Sequence, residues 1–113
     1  MAALKKNLRL GDRKIINSIL RRGRYENRRG LAVYTQPSEN PESRVAVVVS
    51  KKVDKRAVRR NKLRRQISEA MRALLMGVEK PNDFVILTKP EIIKMDFKDI
   101  KNGLEGILKS LKI

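Results

Sequence analysis

The feature that most restricts what this chain can fold into is a strand-like run that leads at once into a long amphipathic helix. Residues 44–50 read Arg-Val-Ala-Val-Val-Val-Ser. This β-branched stretch has almost no polar alternation, the pattern of a strand covered to some degree on both faces. In residues 56–76 the apolar positions Leu63, Ile67, Ala70, Met71, Leu74 and Leu75 follow the 3.6-residue helical period, and Gly77 supplies a stop. Pro81, Asn82 and Asp83 then give a turn signal, and residues 84–88 read as a short strand ended by Pro90. A helix of about 20 residues is a full crossover connection, so strands 44–50 and 84–88 can lie parallel in one sheet.

The other segments fit around that unit. Residues 1–10 are basic and aperiodic, an extended lead-in. Asp12 is placed to cap a helix whose apolar face is Ile15, Ile16, Ile19 and Leu20. Arg21 and Arg22 suit the negative end of its dipole, and Gly23 suits the position just beyond it. Residues 31–35 read as a strand, and 36–43, with Pro37, Ser38, Asn40 and Pro41, as a loop. Asp96 caps a last helix with Phe97, Ile100, Leu104, Ile107, Leu108 and Leu111 on one face, weakened somewhat by Gly103 and Gly106. No repeat, low-complexity tract or linker interrupts the sequence, and 113 residues suit a single domain, 1–113. The expected fold is α+β, a single-sheet α–β sandwich in the order α-β-β-α-β-α, with room for an extra short strand.

Charge narrows the function. Lys and Arg number 28 against 12 Asp and Glu, a net charge of +16. Self-repulsion of that size works against the compact state, and a polyanionic partner relieves it. Solubility alone needs a net charge of only about 2–8 on a small domain. There is no Cys and no His, which removes disulfides, thiolate chemistry and the commonest general base. No apolar run approaches the roughly 20 residues of a membrane span. Lys5, Lys6 and Arg9 are not followed by the apolar run of a signal peptide, so the cytoplasm is the expected location.

The charge is concentrated in residues 50–65, SKKVDKRAVRRNKLRR, where nine of sixteen residues are Lys or Arg and Asp54 is the only acid. Leu63 and Ile67 turn toward the core. Arg56, Arg60 and Arg64, spaced i, i+4, i+8, share one flank, with Arg59 and Lys62 near them. Like charges at that spacing destabilise a helix, and cations in a first turn oppose its dipole. Bound phosphates reverse both penalties. Asn61, among the arginines, is placed to hydrogen-bond a base edge or a sugar. The competing reading is a surface helix with incidental charge.

The Ser50-Lys51-Lys52 strand end followed by Arg56-Ala57-Val58-Arg59-Arg60-Asn61-Lys62-Leu63-Arg64-Arg65 resembles the signature of the bacterial ribonuclease P protein family. Its centre in that family is an Arg-Asn-Arg triplet with a further basic pair, on a helix entered from a Ser-Lys-Lys strand end. Leu4-Lys5-Lys6, Leu10, Arg22-Gly23, Asn27-Arg28, Tyr34 and Lys89-Pro90 agree with it, so the resemblance spans essentially the whole chain. It departs at Lys62, which keeps the charge of the second arginine but not its fork. It departs again at Ile16 and Leu20, where the family often has aromatics.

The resemblance implies a fold like the second domain of ribosomal protein S5, with a left-handed crossover. It implies the protein subunit of a ribonucleoprotein that removes the 5′ leader from precursor tRNA, with the active site and its Mg²⁺ in the RNA subunit. Carried over residue by residue, Arg56, Arg59, Arg60, Asn61, Lys62, Arg64 and Arg65 would meet the RNA subunit. Ile16, Leu20, Tyr34, Ser50, Lys51 and Lys52 would line the leader cleft, with Tyr34 as a stacking platform. Ile16, Leu20 and Tyr34 read equally well as ordinary core. No catalytic residue is assigned, because the acids are scattered and Asp12, Asp83 and Asp96 have structural readings as caps or turn. The free protein is expected to be a monomer that does not engage membranes. The alternative is a small basic ribosomal protein with an S5-like fold. A stand-alone RNA enzyme is disfavoured by the missing His and acid cluster.

Overall fold

The computed structural model describes residues 10–113; most of the basic lead-in, up to residue 9, lies outside the described residues. Asp12 caps α1 (Arg13–Arg22), its carboxylate accepting from the backbone N–H groups of Lys14 and Ile15 at 2.9 and 3.4 Å. A hairpin follows. β1 (Arg24–Arg28) pairs antiparallel with β2 (Leu31–Pro37) across the turn Arg29-Gly30, where Gly30 takes φ +76°, open to glycine without strain. β3 (Arg44–Val48) leads into α2 (Ala57–Leu75), which returns to β4 (Asn82–Thr88). A 3₁₀ turn over Pro90–Lys94 precedes α3 (Phe97–Ser110). Asp96 and Asp99 cap α3 reciprocally, each side chain accepting the other's backbone N–H.

The four-stranded sheet has the order β1-β2-β4-β3. β3 and β4 are parallel, as the length of the intervening helix allows, and the other pairs are antiparallel. β1 fills the place left for an extra short strand.

Alternation divides the sheet into two faces. Leu31 and Val33 of β2, Val45 of β3, and Phe84 and Ile86 of β4 meet Leu63, Ile67 and Met71 of α2 and Ile100, Leu104 and Ile107 of α3, forming the main core. On the opposite face Ala46, Tyr34, Val85 and Leu87 carry α1, which packs through Ile15, Ile16 and Ile19 together with Leu10. The helices therefore cover both faces, with α1 alone on one of them.

Several boundaries differ from the sequence reading. Asn82 and Asp83 are not a turn but the first residues of β4. Asp83 is buried, Thr35 Oγ1 donates to its carbonyl, and its carboxylate takes Arg44 in two bonds of 3.0 and 2.8 Å. Gln36 and Pro37, expected in a loop, extend β2 to pair with Asp83 and Asn82. Pro37 is tolerated because β1 reaches only to Thr35, so this end of β2 has β4 alone as its neighbour. β3 stops at Val48, which is 42% exposed, so this edge strand is only partly covered on its second face.

The glycines also differ in purpose. Gly23 follows α1 in an extended conformation (φ −69°) rather than a left-handed one. A Cβ there would lie 2.5 Å from the Ile19 carbonyl oxygen and 2.8 Å from that of Thr35, so glycine lets the end of α1 sit directly on β2. Gly106 seats the Arg28 guanidinium against α3, at a cost in helix propensity.

Candidate nucleic-acid interface

The basic segment begins where β3 ends. Ser50, Lys51 and Lys52 are exposed, and the turn closes with Val53 N–H donating to Ser50 O at 3.0 Å. Val53 and Asp54 are then buried. Arg56 is not inside α2 but is its N-cap residue, and its own side chain caps nothing. Asp54 acts one step earlier, on the N-cap residue itself. Its Oδ1 accepts the Arg56 backbone N–H at 2.9 Å, and its two oxygens also accept Arg56 Nε at 3.3 Å and Nη2 at 3.5 Å. Arg59 Nη1 lies 3.8 Å from Oδ2. The Arg56 N–H bond, followed by the side chains of Arg56 and Arg59, holds the Asp54 carboxyl below its ordinary range.

The expected row Arg56, Arg60, Arg64 is thus not a uniform line of cations. Arg60 is half-buried and turns back, donating through Nη1 to the carbonyls of Asp54 (3.1 Å) and Lys55 (2.8 Å). Arg64 donates to Asn61 Oδ1, which uses one of that oxygen's two lone pairs and turns the amide N–H groups to an outside acceptor. Arg59, Lys62 and Arg65 are exposed. All seven residues assigned to the RNA subunit therefore lie at the N-terminal half of α2, with Leu63 and Ile67 turned into the core beneath them.

The second set of residues lies on the α1 face. The end of α1 sits against Thr35, while its start, with Lys14 and Ile15, lies near Gln36, Arg44 and Asp83. These are neighbours across the C-terminal part of β2 and the first residues of β3 and β4. The other half of this face is left open. It carries Tyr25, Asn27 and Val48, all exposed, and half-buried Leu87. Because β3 and β4 are parallel, their C-terminal ends emerge together there. Lys51 and Lys52 follow the first, and Lys89, bonded through its N–H to Gly30 O, follows the second. Ile16 is half-buried and Leu20 is 36% exposed on α1, while Ile19 is the fully buried member of that face. Ile16 is thus largely packing, and Leu20 is the one able to present apolar surface.

Tyr34 is half-buried and pairs in register with Tyr25 of β1, their rings 4.7 Å apart and tilted by 42°. Tyr25 is the outer ring, 46% exposed, with Asn27 Nδ2 donating to its hydroxyl at 2.5 Å. The sequence reading missed Tyr25 because Arg-Tyr-Glu-Asn-Arg shows no apolar alternation and so no strand. Asp54 was visible only as the single acid of its segment.

Among the described residues no three Asp, Glu, Cys or His side chains gather as a metal site. Asp12 and Asp96 are helix caps, as expected. A cleft of about 910 Å³ lies between the C-terminal half of α2, residues 41–43 and the start of α3, away from the α2 N-terminus and from the open sheet face. No described helix is long and apolar enough to cross a membrane.

Comparison with known proteins agrees with this geometry. The family model described as Ribonuclease P matches residues 4–112. The ribonuclease P protein component of an Exiguobacterium species is 31% identical over 110 residues, covering 97% of this chain and 95% of the relative. That of Lactobacillus johnsonii is 30% identical, covering 97% and 91%. Among solved structures, the ribonuclease P protein of Staphylococcus aureus superposes with a TM-score of 0.83 at 28% identity, over 94% of this chain and 96% of that one. The protein of Thermotoga maritima gives 0.79 at 26%, over 90% and 96%. The mixed fold of four strands and three helices is theirs, and the ribosomal alternative falls away. With fold, basic helix and nearly the full length in agreement, the chain belongs to the ribonuclease P protein family, the protein component of the endoribonuclease that processes the 5′ end of tRNA.

Proposed function

We propose that the two surfaces divide the work of the ribonucleoprotein. Arg56, Arg59, Arg60, Asn61, Lys62, Arg64 and Arg65 dock on ribonuclease P RNA. Ser50, Lys51, Lys52, Leu20, Tyr34 and the flank of Ile16 grip the single-stranded 5′ leader of precursor tRNA, with Tyr25 as the outer stacking ring. The observation that carries this reading is the sheet itself. One face bears an exposed tyrosine and apolar floor with lysines at its end, and the other bears the helix with the densest cations. Backbone phosphates of a single strand suit the lysines, and unstacked bases suit the ring, at about 1–3 kcal/mol for each base that stacks.

The chain's own carboxylates do not fit a metal centre, since no cluster of three gathers among the described residues. Mg²⁺ and the chemistry are assigned to the RNA subunit, as the family resemblance implies, and no catalytic step is given to this chain. The protein works as one domain, a monomer when free, in the cytoplasm. The β3–α2–β4 connection is taken to be the left-handed crossover of an S5-like fold; the parallel pairing of β3 with β4 supports a crossover there.

Cleavage of a 5′-extended precursor tRNA at low Mg²⁺ tests the proposal, with the protein alone, a bacterial ribonuclease P RNA alone, and both together. Cleavage at the mature 5′ end only with both is expected. The benefit of the protein should shrink when the leader is cut to one or two nucleotides. A benefit independent of leader length would remove the cleft assignment, and cleavage by the protein alone would overturn the assignment of chemistry to RNA.

A further inference from the structure

We propose that Asp54 is a positioning residue for RNA binding, a carboxylate that holds Arg56 and Arg59 in the attitude in which they meet phosphate. The inference rests on the assignment of the α2 basic face to the RNA subunit. By charge alone an acid among nine cations is misplaced there, since it repels the phosphates its neighbours attract. Its geometry supplies the reason for it. Asp54 is 9% exposed, and its oxygens reach the Arg56 backbone N–H, Arg56 Nε and Nη2, and Arg59 Nη1.

Arg56 is engaged along its Nε–Nη2 edge, and Arg59 by one ion-pair contact of 3.8 Å at Nη1. An arginine has five N–H donors, and the Arg56 and Arg59 side chains remain 65% and 54% exposed, so the outer edges stay available to an anion. The backbone carbonyls of Asp54 and Lys55 hold Arg60 in the same turn. Without the carboxylate, Lys55, Arg56, Arg59 and Arg60 crowd the positive end of the α2 dipole, where no side chain of the N-cap residue itself helps. They then spread apart, and RNA has to order them on binding.

The two readings of Asp54 differ in sign. Asp54→Asn keeps the size and an acceptor for the Arg56 N–H and raises the net charge from +16 to +17. If the acid only repels, RNA binds the variant more tightly. If it positions, RNA binds it more weakly. The experiment measures the affinity of the full-length protein for ribonuclease P RNA across a salt series at 15 °C. It uses wild type, Asp54→Asn, Arg59→Ala and the double variant, with thermal unfolding of each; Asp54→Ser, which retains an oxygen able to accept the Arg56 N–H, is a second substitution.

The expected result is roughly tenfold weaker binding for Asp54→Asn and a log–log salt slope shallower by about one to two. In the Arg59→Ala background the loss should be much smaller. Equal or tighter binding by Asp54→Asn overturns the proposal, as does the same loss in both backgrounds, or a loss seen only where the variant is partly unfolded. An Arg59→Ala affinity equal to wild type would instead overturn the assignment of α2 to the RNA subunit.

Discussion

Replacement of Gly23 by alanine tests whether the close seat of α1 on the sheet is what shapes the open face. The added Cβ lies 2.5 Å from the Ile19 oxygen and 2.8 Å from the Thr35 oxygen. An ordinary carbon–oxygen contact is about 3.3 Å. Both neighbours are backbone, so no rotamer relieves the clash. The Thr35 contact requires the end of α1 to lift from β2 by about 0.5 Å, and the Ile19 contact, inside the last turn of α1, requires Gly23 to shift by about 0.8 Å from that oxygen, which strains the 2.8 Å bond from Gly23 N–H to Ile19 O. Overpacking of this kind, with a weakened hydrogen bond, costs about 2–4 kcal/mol. For a domain of this size that is a fall in Tm of about 8–16 °C. Gly11→Ala is the matched control, because a Cβ there meets nothing within 4 Å. The assay is thermal unfolding by circular dichroism, followed at 15 °C by binding of the RNA subunit and leader-dependent cleavage. RNA-subunit binding should survive, since α2 lies across the sheet from α1, while the leader-dependent part of the rate falls. A Gly23→Ala protein as stable as Gly11→Ala would refute the argument from close approach.

Three further outcomes follow from the same contacts. If about six phosphates are met, log affinity for RNA falls against log salt with a slope near −4 to −5. Arg65→Ala should make it shallower by about one with no change in Tm. Arg60→Ala should do the same and also lower Tm by about 4 °C, because it removes two bonds to loop carbonyls. An unchanged slope would take that arginine out of the interface. Asp83→Ala leaves Arg44 without the partner of its 2.8 Å ion pair and should cost about 2–4 kcal/mol in urea unfolding, with Asp83→Asn costing less; a loss below 0.5 kcal/mol would show that β4 does not need the pair. The Asp54 carboxyl is held below its ordinary range, so the stability it adds is present above the unfolded-state value and is lost as pH falls through the folded one. The small stability gap between wild type and Asp54→Asn should stay constant from pH 8 to about 5 and close only below about pH 4; a gap closing near neutrality would contradict the assignment.

The helices were legible in the sequence because each carries its own signals. Asp12 and Asp96 cap as expected, and the apolar stripes of α2 and α3, and that of α1 except for exposed Leu20, lie where the period puts them. What escaped depends on partners far along the chain. Asn82 and Asp83 look like a turn until Arg44, 39 residues earlier, satisfies the carboxylate and lets it join a strand. β1 has the polar pattern of an edge strand whose outer residues face solvent, and only its register with β2 makes it a strand. The candidate site divides in the same way. The basic run was evident by composition, but no local rule says that Arg60 bends back onto the chain, or that of two stacked tyrosines Tyr25 is the outer one.

On the proposed reading the two RNA surfaces are held at a set distance by very little chain. Val49 is 5% exposed and Val53 3%, so the exposed Ser50, Lys51 and Lys52 are pinned at both ends by side chains in the main core. The Val53 N–H to Ser50 O bond closes the turn between them, and Asp54, immediately after, ties the backbone to the start of α2. On the other side β3 is held by its parallel ladder to β4, by Arg44 on Asp83, and by Leu10 N–H on Val45 O. Lysines at the end of the cleft and arginines at the head of the helix therefore belong to one braced corner rather than to two mobile loops. A protein of 113 residues with no large core can orient leader and catalytic RNA relative to one another in this way, because the ordering cost of the corner is met on folding and not again when RNA binds.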